Sequence, residues 1–154
     1  MNEKSLQETF APKGICFGCG CLNDKGLKIK SFINKNEIIC DWKASKYHEA
    51  FPGVLNGGII GSILDCHSNW AAAYFLMKHL KLDSTPCTVT ADYSVKLRRP
   101  TPSNALLHIT AKLANINEKI AVIDAFLYAE EKICASFVGT FVSVNSDHPA
   151  FHRW

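Results

Sequence analysis

The chain has 154 residues, of which 47% are hydrophobic and 20% charged, the balance of one soluble globular domain with enough bulk for a proper core. A net charge of +3 is too small to imply nucleic acid as a partner, though it suits an anionic small molecule. The longest apolar run, residues 70–77, falls far short of the ~20 residues a membrane span needs. The first residues carry Glu3 and Glu8 and no apolar core, so they do not read as a signal peptide. Seven cysteines, an odd number, are read as reduced thiols in a cytoplasmic setting.

Residues 1–14 are polar and uneven, an N-terminal arm that reads either as a short helix or as a loose segment. Cys16-Phe17-Gly18-Cys19-Gly20-Cys21 follows. Three close thiols raise the question of a metal, but zinc sites usually take four ligands and no second pair follows. The expectation is a Gly-rich turn with buried thiols and no metal. Residues 27–33 and 37–43 read as two strands about the Asn34-Lys35-Asn36 turn, a hairpin. Residues 46–55 form a loop with His48, Pro52 and Gly53.

Asn56 is a good helix cap, and Gly57-Gly58 leave the free N–H groups of a first turn uncovered. From Ile59 to Leu80 there is no proline, and the apolar content predicts a buried helix. In projection Gly58, Gly61, Ser62, Asp65, Ser68, Asn69, Ala72 and Ala73 share one stripe about 140° wide, all small or polar. The bulky residues take the other side, and His67 falls among them as a core histidine. The small face is open to close approach by a ligand or a second backbone. Asp65, the only carboxylate of the helix, stands in its middle.

After a break at 83–86, residues 87–99 alternate as a long strand. Thr88, Thr90, Asp92, Ser94, Lys96 and Arg98 are expected on one face; Val89, Ala91, Tyr93, Val95 and Leu97 on the other. Runs at 106–113, 120–128 and 133–144 are joined by short turns, which indicates an antiparallel sheet. A short tail, 145–154, closes the chain. The fold class is therefore α+β, one domain over residues 1–154, with an antiparallel sheet wrapped around one central helix.

This layout, with Asn56-Gly57-Gly58, Asp65 and the stretch from Thr90 to Pro100, resembles the hotdog fold. Within that fold it is most similar to acyl-CoA thioesterases of the PaaI-like and 4-hydroxybenzoyl-CoA type, over roughly residues 15–144. Cys16 to Gly20 is similar to the lead-in of one branch of the group. The family usually has His where this chain has Asn56, and some relatives have Asn where it has Ala50. The resemblance implies that the Gly57 N–H polarises a thioester carbonyl. It implies that Asp65 activates water or attacks directly, and that the Thr90 hydroxyl helps to hold the water. Asn56, Gly58, His48, Ser68 and Asn69 are then expected to line the substrate pocket, with Arg98 and Arg99 meeting the phosphates of coenzyme A. No cofactor is implied.

The residues support this chemistry independently. A helix N-terminus supplies oxyanion donors, and a carboxylate on an apolar helix becomes a stronger base as it loses solvation. Gly57 and Asp65 lie ~12 Å apart along one helix, too far to serve one carbon. Two antiparallel helices bring one copy's Gly57 beside the other's Asp65, so a homodimer, or a homotetramer built as a dimer of dimers, is expected. Two other readings of the fold remain open. One is an acyl-thioester dehydratase or hydratase using His48 with Asp65; the other is a non-catalytic acyl-CoA-binding protein.

Overall fold

The computed structural model describes residues 3–151. Its central element is a long helix, Gly57–His79, of 23 residues; a short one, Leu6–Phe10, precedes it. In chain order these are α1 (Leu6–Phe10) and α2 (Gly57–His79). The Asn56 side-chain oxygen accepts from the Ile59 N–H at 3.1 Å, satisfying one orphan donor of the first turn of α2. At the far end Lys81 adopts a positive φ of 55°, and the Leu82 N–H reaches back to the Met77 carbonyl at 2.9 Å. Those features close the helix as a glycine would.

The strands are β1 (Phe32–Asn34), β2 (Glu37–Lys43), β3 (Glu49–Phe51), β4 (Val54–Leu55), β5 (Thr88–Leu97), β6 (Leu106–Ile116), β7 (Ile120–Ala129) and β8 (Lys132–Ser143). Six form one sheet in the order β1-β2-β6-β7-β8-β5, each neighbouring pair antiparallel. β3 and β4 pair with each other, a small hairpin inside the stretch read as loop, and Val54 of β4 also bridges to Pro102. α2 packs across one face of the large sheet, against β2 and β5 to β8. Period-two alternation shows most clearly in β7, where Ala121, Ile123, Ala125, Leu127 and Ala129 are buried and their neighbours are not. Ile63, Leu64 and Leu76 of α2 meet Ile109, Ile123, Leu127 and Phe141 in a fully buried core. Each such side chain stabilises the fold by ~1.5–3 kcal/mol through area removed from water.

Two expectations change. Residues 27–31 alternate, with Leu27, Ile29 and Ser31 buried and Lys28 and Lys30 exposed, but they are not strand. Their N–H groups are taken by the turn before them, Leu27 N–H by the Phe17 carbonyl and Ile29 N–H by that of Gly18, so β1 begins only at Phe32. Of the two readings of the arm the short helix holds: α1 is opened by a capping box between Ser5 and Glu8. The second change concerns β5. A bulge between Thr90 and Asp92 places Ala91 as an extra residue against β8: Thr90 opposes Phe141, and Asp92 opposes Thr140. The alternation therefore inverts. Thr88 and Thr90 face α2 together with Tyr93 and Leu97, whereas Ser94, Lys96 and Arg98 lie on the outer face. No continuous alternation survives an inserted residue.

Candidate functional site

α2 and β5 run side by side and place the polar residues of each in contact. The Thr90 hydroxyl donates to Asp65 Oδ1 at 2.7 Å, and one turn on, the Thr88 hydroxyl donates to Asn69 Oδ1 at 2.7 Å. The Asn69 amide returns a weaker bond to the Thr88 carbonyl at 3.4 Å. Without the bulge at Ala91, Thr90 and Tyr93 could not both face the helix. Thr90, expected to hold a water, thus orients the carboxylate itself.

Asp65 borders a cavity of about 150 Å³ with Asn69, Trp70 and the loop around Cys16 and Cys19. Burial raises its carboxyl above the usual range, the Thr90 bond works against this, and the nearby Cys16 thiol adds to the rise. A carboxylate half out of water, held by one hydroxyl and open to a cavity, has the surroundings that general-base or nucleophilic chemistry requires.

The N-terminus of α2 lies about two turns before Asp65, ~12 Å back along the same helix. Gly57 and the exposed Gly58 keep its first turn bare, and a side chain at Gly57 would come within 3.2 Å of Leu97 Cδ1. Asn56 spends its side chain on the cap. His48 anchors this corner: its carbonyl accepts from the Asn56 N–H at 2.9 Å, its Nδ1 accepts from the Ser45 N–H at 3.0 Å, and its ring stacks on Trp42 at 5.1 Å between centroids.

Other expected site residues are placed elsewhere. Ser68 is fully buried, so it is corrected from pocket lining to core; its Oγ has no hydrogen-bond partner among the described residues. Much of the small stripe is likewise covered, since Gly61, Ala72 and Ala73 are buried. Arg98 sits on the outer face, its Nε donating to Ser136 Oγ at 3.0 Å, on the side of the sheet away from Asp65. Arg99 is exposed past the strand end, its Nε donating to the Ile133 carbonyl at 3.0 Å. His67 is a core residue: Nε2 donates to the Ile38 carbonyl at 3.0 Å and Nδ1 accepts from Ser31 Oγ at 2.8 Å. Burial pushes its pKa down to about 4, keeping it neutral.

The cysteine motif is rearranged as well. Cys16 and Cys19 are joined by Cys66 of α2, not by Cys21, and the three sulfurs lie within 4.8 Å of one another. Bonds from Cys19 and then Cys66 hold the Cys16 thiol far below its ordinary range. The same sharing pushes Cys19 up to about 12 and raises Cys66. No spacing in the sequence announces Cys66, which reaches the motif only because the loop folds back onto the helix.

No family model and no curated protein matches the sequence. Solved structures do. A thioesterase superfamily protein from Shewanella loihica PV-4 superposes with a TM-score of 0.64 at 25% identity, over 76% of this chain and 91% of that one. The E. coli PaaI protein from the phenylacetic acid degradation operon gives 0.64 at 16% identity, over 77% and 81%. Zebra fish thioesterase superfamily member 2 gives 0.64 at 17%, over 79% and 89%.

Proposed function

From a chain with the hotdog fold, similar in structure to thioesterase superfamily proteins, we propose an acyl-CoA thioesterase that releases free acid and coenzyme A. The observation that carries the reading is the Thr90–Asp65 bond at the edge of a cavity, which aims one semi-buried carboxylate on the central helix. Asp65 activates water or attacks the thioester carbon. The bare first turn of a second copy's α2, with its Gly57 N–H, receives the developing oxyanion. His48, Asn56 and Gly58 shape that corner, and Asn69 lines the cavity beside Asp65.

A dimer fits this chemistry. β5 ends the sheet as a ten-residue strand with no partner on its outer side among the described residues, and Tyr93 and Leu97 at that edge are 49% and 58% exposed. A long edge strand with exposed apolar side chains invites pairing with another copy. Antiparallel pairing there sets the two copies of α2 side by side in opposite directions, the arrangement a shared site requires.

The direct test is Asp65→Asn, which keeps shape and removes charge. Release of free thiol from a panel of acyl-CoAs should fall below roughly a tenth of wild type, the scale expected for losing a general base or nucleophile. Fold and substrate binding should persist. Higher residual activity removes Asp65 from the mechanism.

A further inference from the structure

Cys16 and Cys19 lie on one loop and Cys66 on the central helix, 50 residues from Cys16 in sequence, yet Cys16 Sγ is 3.8 Å from Cys66 Sγ. All three sulfurs fall within 4.8 Å of one another. Sulfurs ~2.3 Å from a tetrahedral zinc ion stand ~3.8 Å apart, so the trio is close to one face of such a tetrahedron. We propose that Cys16, Cys19 and Cys66 bind a zinc ion as three thiolates, with the fourth position turned to the cavity that Asp65 borders.

The surrounding chain is shaped for that closeness. A side chain at Gly18 would place its Cβ 2.1 Å from Cys66 Sγ, so only glycine lets the loop lie on the helix there. At Gly20 an added Cβ would come within 2.4 Å of the Cys16 backbone nitrogen, so the tight turn that returns Cys19 toward Cys16 also needs glycine. The turn is held by the Gly20 N–H donating to the Cys16 carbonyl at 2.8 Å. Trp70, one turn along α2 from Cys66, donates its indole N–H to Cys19 Sγ at 3.3 Å. Such second-sphere donors orient thiolate ligands and spread their charge.

Ligand softness favours zinc over calcium or magnesium, which take oxygen. Binding forms three Zn–S bonds, and whatever thiol protons remain go to solvent, leaving a net charge of −1 on the ion and its thiolates. The ion ties the loop to α2 at the residue after Asp65, so it fixes the wall of the cavity. This holds whether or not the chain hydrolyses thioesters.

The test uses the full chain, reduced and stripped of metal, titrated with cobalt(II) and then zinc. One cobalt per chain should bind with intense thiolate-to-metal charge-transfer absorption, which zinc abolishes. A thiol reagent should then find three more cysteines protected than in the metal-free chain, where Cys40, Cys87 and Cys134 are already buried. Cys66→Ser and Cys19→Ser should each weaken binding by roughly tenfold or more, whereas Cys21→Ser should not. Absence of the charge-transfer band in the wild-type protein overturns the proposal, as does a band unchanged in Cys66→Ser. If the serine variants fail to fold, the difference in protection between metal-free and metal-loaded wild type decides alone: no thiols protected beyond those already shielded in the metal-free chain, or a disulfide formed within the trio in place of metal binding, overturns it.

Discussion

Glu8 shows how one exposed residue can carry a pH response. It caps α1 through Ser5, accepting from the Ser5 N–H at 2.9 Å and its hydroxyl at 2.8 Å, and it pairs with Lys30 at 2.8 Å. The Lys30 contact first, then the bonds from Ser5, lower its carboxyl from 4.5 to about 2. The folded state therefore holds its proton less tightly than the unfolded one. The contribution is complete above pH 4.5 and is lost as pH falls through 2. Because the group is partly exposed, the effect stays within ~1 kcal/mol. Denaturant unfolding of wild type and Glu8→Gln between pH 5 and 2 should show the two curves converging on acidification. A gap that stays constant over that range would deny Glu8 this role.

At the scale of elements, the tight turn within the cysteine loop is the least forgiving. Gly20 meets backbone, not a movable side-chain tip: an added methyl lies 2.5 Å from the Ile15 carbonyl carbon and 2.7 Å from the Cys16 oxygen. Gly20→Ala should cost ~1–3 kcal/mol as overpacking, read as a lower denaturant midpoint with unchanged slope. An unaltered midpoint would mean that the turn opens to admit a side chain without cost. The bulge in β5 is a second element-scale device. One inserted residue turns Thr90 toward Asp65 and sends Arg98 to the outer face, so the same strand that orients the carboxylate carries its basic end away from it.

For the whole molecule, the question is whether one site needs two chains. Gly57→Pro removes the N–H proposed for the oxyanion at a position where proline is tolerated, and the nearest contact, Leu97 Cδ1 at 3.2 Å, is a flexible tip. Asp65→Asn removes the carboxylate. Each homodimer should be nearly inactive. In a mixed dimer one site takes Gly57 from the Asn-bearing copy and Asp65 from the Pro-bearing copy. Random pairing makes about half the dimers mixed, each with one working site, so co-expression should restore roughly a quarter of wild-type turnover. The Pro variant is first checked for folding and dimerisation by circular dichroism and sedimentation. A folded mixture as inactive as its parents would refute the shared site.

The sequence alone was enough for what depends on local pattern. The helix from Asn56, the strands after it and the central place of Asp65 all follow from periodicity, capping chemistry and one carboxylate in an apolar run. Burial of His67 was also legible, since it projects among bulky residues. Tertiary structure decided whatever depends on which surfaces meet. Ser68 shares a helical stripe with Asp65, but it is fully buried. Arg98 shares a parity with Thr90, but the Ala91 bulge separates their faces. Cys66 joins Cys16 and Cys19 because two glycines let a distant loop settle on the helix. Periodicity reports which way a side chain points along its own element. It carries no term for the element packed opposite, and that partner decides whether a residue lines a cavity, fills a core or completes a cluster.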